Sequence, residues 1–128
     1  MIYQVDLSLP AQTTQAAPKT TAITVPYGRV ARVGLLFPSG CAGLAHVQIY
    51  SNTFQVWPTT PGRSFAGDGH LISFEEAYQL TSAWNQLVIS GWNDDDSYQH
   101  TVSVWIDVLP IDQGWVFGGL TGLPRYVE

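Results

Sequence analysis

The stretch that decides the fold reads TVSVWIDV, residues 101–108. Apolar residues occupy every second position of this stretch, at Val102, Val104, Ile106 and Val108. Successive side chains of a β-strand point to opposite faces of a sheet, so strict alternation predicts a strand with one buried face and one outward face. The intervening positions, which include Trp105 and Asp107, are then the outward ones.

Short runs rich in Val, Ile, Thr and aromatic residues recur along the rest of the chain, and Gly, Pro, Asn and Asp separate them. This pattern predicts seven further strands: residues 2–9, 20–25, 29–37, 44–50, 54–57, 70–80 and 86–90. In the strand over 29–37 the alternation places Ala31, Val33, Leu35 and Phe37 on the inward face, and Val30 on the outward face. No segment carries a convincing helix signal, because the best candidate, 73–80, has no cap pattern and contains β-forming Phe74 and Tyr78.

Eight short strands without helices predict an all-β fold, a two-sheet antiparallel β-sandwich. The eight-stranded jelly roll is the member of this class that fits the strand count. A seven-stranded immunoglobulin-like sandwich is the alternative, although the chain has a single cysteine, Cys41, and so lacks the paired cysteines of true immunoglobulin domains.

The character of the sequence changes after Pro110, which predicts a sandwich domain over 1–110 and an extended C-terminal arm over 111–128. The arm combines glycines with large apolar residues, and a disordered tail is normally poor in such residues. Two interpretations remain open: the arm folds back over its own sandwich, or it docks on a neighbouring subunit. Its candidate contact residues are Trp115, Phe117, Leu120, Leu123 and Tyr126.

Charged residues are scarce. They make up 12% of the 128 residues, against about 25% in ordinary soluble domains. Much of the surface must therefore be neutral, which favours lasting contact with other protein subunits. A net charge of −5 argues against a nucleic-acid partner, because phosphate binding needs clustered Lys and Arg.

No apolar run is long enough to span a membrane, and the first residues lack the features of a signal peptide. We therefore expect synthesis in the cytoplasm and no membrane partner.

Three consecutive acidic residues, Asp94, Asp95 and Asp96, lie between the last two predicted strands. Carboxylate oxygens are ligands that Ca²⁺ prefers, so calcium is the one cofactor that the sequence raises. The loop nevertheless lacks the alternating spacing of an EF-hand, and adjacent side chains in a tight turn rarely converge on one ion. The alternative is a hairpin tip whose Asp and Asn side chains bond to nearby backbone amides.

Three tryptophans, Trp57, Trp84 and Trp92, fall at predicted strand ends or in loops. An exposed indole there could stack on a sugar ring, as in a carbohydrate-binding module. The alternative is that these rings pack over the ends of the sandwich or in a subunit interface, where aromatic residues are enriched.

No catalytic constellation is visible. The histidines His46, His70 and His100 are far apart in sequence and share no metal-ligand spacing. A Ser–His–Asp triad is defined by geometry rather than spacing, and no strand–turn–helix context for a nucleophile is present. We therefore do not expect an enzyme.

Three segments resemble small phage-encoded virion proteins: residues 37–49 (FPSGCAGLAHVQI), 65–68 (FAGD) and 93–102 (NDDDSYQHTV). The resemblance is one of pattern, extends over about residues 2–110 and leaves the arm unmatched. It implies a structural role in the virion, as a capsid decoration protein or a small jelly-roll capsid subunit, and supplies no functional residues.

The leading hypothesis is therefore a non-enzymatic virion protein that contacts copies of itself and other capsid proteins. A trimer would suit a threefold position of a capsid. The alternative is a carbohydrate-binding module or a host-attachment protein that recognises glycans.

Overall fold

The computed structural model describes residues 1–112 and 125–126, and these form an all-β fold without helices. The strands are β1 Ile2–Leu9, β2 Lys19–Pro26, β3 Gly28–Phe37, β4 Ala45–Ser51, β5 Phe54–Trp57, β6 His70–Gln79, β7 Trp84–Asn93, β8 His100–Asp112 and β9 Arg125–Tyr126. Within these residues there is no helix of the length and hydropathy needed to cross a bilayer.

Two antiparallel sheets make up the sandwich. One has the strand order β1-β8-β3-β6, with the short β9 paired to β8, and the other has the order β2-β7-β4-β5. The first strand therefore pairs with the eighth, the second with the seventh, the third with the sixth and the fourth with the fifth. This nesting is that of a long hairpin rolled up on itself, and it confirms the predicted jelly roll.

The core lies between the two sheets, and the alternation seen in the sequence fills it. All four apolar residues of the 102–108 stretch are fully buried, and they belong to one cluster with residues of both sheets such as Leu35, Ile49 and Ile89. Because each inner face contributes every second residue, the two faces interdigitate into a single apolar layer. This layer holds the strands rigid, so their outward side chains are fixed in position.

The predicted inward set of β3 is wrong at its first residue. Val30 is fully buried, whereas Ala31 is only half-buried. The cause is a bulge: Val30 pairs with Val108 and Arg32 with Asp107, so two steps along β3 face one step along β8. The extra residue, Ala31, reverses the alternation at this point, and the pattern of the single strand cannot reveal it.

Strand β7 is longer than the predicted 86–90 because it continues through Gly91 to Asn93. Glycine usually weakens a strand, but here the neighbouring chain is too close for a side chain. A Cβ at Gly91 would lie 2.7 Å from the carbonyl oxygen of His46. The glycine is thus a requirement of close packing rather than the end of the strand.

The two ends of the sandwich contain different segments. Strands β2 and β4 both run antiparallel to β7, so their last residues and Trp84 lie at one end, which we call the open end. Pro110, the last residue before the predicted arm, pairs with Gly28 at this same end. The loops that contain residues 10–18, 38–44 and 94–99 lie at the other end, which we call the braced end.

Candidate functional site

The braced end is organised by one buried amide, that of Asn93 at the end of β7. Its Nδ2 donates hydrogen bonds to the carbonyl oxygens of Leu9 (3.0 Å) and Tyr98 (2.9 Å), and its Oδ1 accepts one from the backbone N–H of Asp95 (2.9 Å). A single side chain thus connects β1, β7 and the acidic loop. Its backbone N–H also bonds to Thr13, which attaches the β1–β2 connection.

Asp95, the middle residue of the acidic loop, is buried and fully occupied by local partners. Its Oδ1 accepts hydrogen bonds from the backbone N–H groups of Ser97 and Tyr98, and its Oδ2 lies 2.8 Å from Nε2 of His100. The hydrogen bond from Ser97, followed by the one from His100, lowers the pKa of Asp95 because both stabilise the carboxylate. The loop is therefore fixed by an ionised side chain.

The three aspartates of the predicted calcium site have separate partners. Asp94 lies 3.0 Å from Nε2 of His46, Asp95 bonds to His100, and Asp96 accepts a hydrogen bond from the Ser97 hydroxyl. Across residues 1–112 and 125–126 no group of three His, Cys, Asp or Glu side chains is placed to hold a metal ion. The loop matches the alternative interpretation, a hairpin tip whose Asp and Asn side chains form local hydrogen bonds.

The fold joins a serine, a histidine and an aspartate that the sequence keeps apart. Nδ1 of His46 lies 2.9 Å from the Ser64 hydroxyl, its Nε2 lies 3.0 Å from Asp94, and its ring stacks on Trp92. The ring nitrogens are exchanged relative to the usual catalytic triad, in which the serine bonds to Nε2. The segment around Ser64 is also paired to β4 through Phe65 and Val47. We therefore assign this chain of bonds to fastening the 58–69 loop.

Two of the three tryptophans at the strand ends, Trp57 and Trp92, are buried, as the packing interpretation of the sequence has it. Trp57 is 2% exposed and donates a hydrogen bond from Nε1 to Glu76, and this bond lowers the pKa of the Glu76 carboxyl. Trp92 is 6% exposed beneath His46. Neither indole has a free face for a sugar, and both instead follow the packing alternative. Trp84 is 69% exposed.

Large apolar side chains are uncovered at the open end. Phe54, in the β4–β5 hairpin, is 68% exposed, and Trp84 at the start of β7 is exposed to the same extent. Met1 and Ile2 are also exposed here, because Ile2 pairs with Asp107 near the end of β8. Four of the seven large hydrophobic residues that are exposed in the described part of the chain thus lie at one end.

The predicted contact residues of the arm fall mostly outside the described residues, namely Trp115, Phe117, Leu120 and Leu123. Tyr126 is in β9, whose backbone pairs with the end of β8 through Ile111 and Asp112.

The outward face of the β1-β8-β3-β6 sheet contains a hollow that the sequence analysis did not predict. Trp105 on β8 pairs directly with Gly34 on β3, and Gly34 pairs with Ser73 on β6. Because Gly34 has no side chain, the indole reaches over it: a Cβ at Gly34 would lie 3.7 Å from Cε3 of Trp105. The result is a depression of about 240 Å³, lined by Ile2, Arg32, Gly34, Ser73, Trp105 and Asp107.

Charged groups of both signs border this hollow. Asp107 pairs with Arg32 across the β8–β3 ladder, and Nη2 of Arg32 lies 3.4 Å from a carboxylate oxygen of Glu75. Part of the signal is visible in the sequence: the alternation places Trp105 on an outward face, and Gly34 stands between the inward residues Val33 and Leu35. The register that brings them side by side could not be read from either strand alone.

No protein-family model and no curated protein matches this chain. Similar solved structures include the Yersinia pseudotuberculosis-derived mitogen, at 9% identity over 84% of this chain and 86% of that one, with a TM-score of 0.48. The cyanophage Pam1 capsid is similar at 13% identity over 82% and 81% of the two chains, with a TM-score of 0.49.

A third similar structure is the CBM36-1 domain of a multidomain xylanase from the hindgut metagenome of Trinervitermes trinervoides. It shares 9% identity over 82% of this chain and 97% of that one, with a TM-score of 0.44. The weak structural neighbours thus include both a capsid protein and a domain of a xylanase. At these scores the likeness is too low to argue for any function, which has to come from this chain's own surfaces.

Proposed function

We propose that the protein is a non-enzymatic structural subunit of a virus particle, a capsid decoration protein or minor capsid subunit. It acts through contacts with copies of itself and with other capsid proteins. The observation that carries the proposal is the open end, where Phe54 and Trp84 are exposed on a chain with few charged residues. Large exposed apolar groups in a folded domain mark contact sites.

The energetics favour a role for these side chains in assembly. Full burial of a large apolar side chain contributes about 1.5–3 kcal/mol. Aromatic residues are enriched at protein interfaces, whereas charged residues are depleted from their centres. Copies related by a closed rotation bury the same patch on every subunit, so a few such residues act repeatedly. A trimer that covers its open ends is the assembly we propose.

The arm has a defined place in this proposal. Pro110, the residue before the arm, pairs with Gly28 at the open end. The arm would dock on a neighbouring subunit through Trp115, Phe117, Leu120 and Leu123, and so add to the same contact, while the backbone at Tyr126 pairs with β8 of its own chain. The virus particle is then the place where the protein acts.

The test is the mass of the protein in solution, measured by light scattering and analytical ultracentrifugation. We expect an oligomer that Phe54→Ser and Trp84→Ser weaken at least about tenfold in dissociation constant, which corresponds to the loss of one large buried apolar contact. Tyr98→Ser is the matched control, because Tyr98 is 70% exposed but lies at the braced end. A monomeric parent protein, or equal effects of all three substitutions, would overturn the proposal.

Glycan recognition, the activity of a carbohydrate-binding module or host-attachment protein, is the second candidate. One observation favours it: the hollow over Gly34 presents an indole beside Arg32, Ser73 and Asp107. An array of immobilised glycans, probed with the labelled protein, tests this candidate at the level of function. An array without hits would remove it and leave the assembly proposal unaffected.

A further inference from the structure

We propose that the hollow over Gly34 is a binding site for a single neutral pyranose ring, which stacks on Trp105. This inference rests on the second candidate function and gives it a location and a ligand class. It moves the expected sugar site from the strand-end tryptophans to the middle of a sheet face. Trp57 and Trp92, which are buried, have no part in it.

The pairing of Trp105 with Gly34 creates the stacking surface. An indole on a sheet normally stands among neighbouring side chains. Opposite Trp105, the residue on β1 is Gln4, but the residue on β3 is a glycine. The ring can therefore extend over Gly34, within van der Waals distance of the position that a Cβ would take. Trp105 is half-buried beside the hollow, and a broad apolar ring face suits the C–H surface of a sugar.

The polar groups around the indole match the hydroxyls of a sugar. Asp107 offers carboxylate oxygens that only accept hydrogen bonds, Arg32 offers N–H groups that only donate, and the Ser73 hydroxyl can do either. These groups lie on three adjacent strands, β8, β3 and β6, whose positions the core fixes. Few but well-placed polar groups around an apolar surface are the usual composition of a small-ligand site.

Size and charge narrow the ligand class. The hollow measures about 240 Å³, below the 300–1,000 Å³ typical of pockets for drug-sized ligands, so it fits one ring rather than a chain of rings. Arg32 lies 3.4 Å from Glu75, and the amino group of Met1 lies 3.6 Å from Asp107, so the charges around the hollow balance. A ligand without net charge needs no further counter-charge there, so a neutral ring is favoured.

The experiment titrates the full chain with methyl β-galactopyranoside and with methyl β-glucopyranoside. It follows the indole N–H signals by NMR and the affinity by calorimetry. We expect at least one of the two sugars to bind in the millimolar range, as is usual for a ligand of few atoms, and to shift the Trp105 signal. The Trp105→Ala variant should bind at least about tenfold more weakly, because the stacking contact is lost.

Two further variants make the result specific. Gly34→Val places methyl groups in the hollow, on a strand that tolerates β-branched residues, and should abolish binding while the protein stays folded. Tyr98→Ala removes an exposed aromatic ring outside the hollow and should leave the affinity unchanged. Sugar binding that survives Trp105→Ala and Gly34→Val would overturn the proposed site but keep glycan recognition. No binding of either sugar, with an array that shows no hits, would remove both.

Discussion

The residues at the two ends of the sandwich have opposite surroundings: hydrogen-bond partners at one end and solvent at the other. At the braced end, Asn93, Asp95 and His100 connect several loops through buried or half-buried hydrogen bonds. At the open end, Phe54 and Trp84 extend into solvent. The difference teaches that hydrogen bonds within one chain hold the loops of the braced end together, whereas the exposed apolar groups of the open end are where a partner would add stability.

Asn93→Ala should give the largest effect. The substitution leaves the buried carbonyl of Leu9 and the N–H of Asp95 without partners, and each buried unsatisfied group costs about 1–3 kcal/mol. We expect a loss of about 3 kcal/mol in the free energy of unfolding, measured with denaturant. Asn85→Ala is the matched control at the open end of the same strand. Among the described residues, its amide bonds to the backbone of Ser82 alone, so about 1 kcal/mol is expected. Equal losses would contradict the contrast between the ends.

Acidification should weaken the braced end through Asp95. The folded-state pKa of Asp95 lies below its ordinary value of 3.8, so the unfolded chain takes up a proton first as the pH falls. The stabilisation is therefore complete above about pH 5 and is lost as the pH falls from there through the folded-state pKa. Thermal unfolding followed from neutral pH to about pH 3 measures it.

The Asp95→Asn variant should show a flatter decrease in melting temperature over this range. Asp96→Asn removes the same charge from an exposed neighbour and serves as the control, with a pH profile like that of the parent. A decrease in Asp95→Asn as steep as in the parent would assign the acid sensitivity to other carboxylates.

Ser64→Ala should have a smaller effect, because it removes one hydrogen bond to His46 while the backbone pairing of Phe65 with Val47 remains. About 1 kcal/mol of stability is expected to be lost. Trypsin should also cut faster after Arg63, since the loop that contains it is less firmly held. Ser73→Ala, on the outer sheet face, is the control and should leave the rate of cleavage unchanged.

Trp84→Ser should have the smallest effect on the isolated subunit. Its indole is largely exposed, and surface substitutions usually change stability by less than about 0.5 kcal/mol. Denaturant unfolding of the dissociated protein, compared with Asn93→Ala under the same conditions, checks this ranking. A loss as large as that of Asn93→Ala would mean that Trp84 packs within its own chain, and the open end would not be open.

The strands could be predicted from the sequence because each is a local pattern. The alternation over 101–108 gives the buried face of β8 without reference to any other strand, and the strand count gives the jelly roll. The bulge at Ala31 could not be predicted from the sequence, because it is defined only by the pairing of β3 with β8. The choice between packing and exposure stayed open for Trp57 and Trp92 for a similar reason, since the rings that contact them, Tyr78 and His46, come from other segments of the chain.

The candidate sites depend on pairing even more strongly. Nothing near Trp105 in the sequence points to Gly34, and nothing near Ser64 points to Asp94. Antiparallel register brings the first two together, and the return of a loop along β4 brings the second two into contact with His46.

Taken alone, the amino-acid sequence determined the strands, their buried faces and a surface poor in charge, because side-chain period and composition act within a few residues. Only the tertiary structure decided which end is closed, where an indole lies over a glycine and which tryptophans meet solvent. Those features depend on contacts between residues distant in sequence, whose register is set when the two sheets pack together.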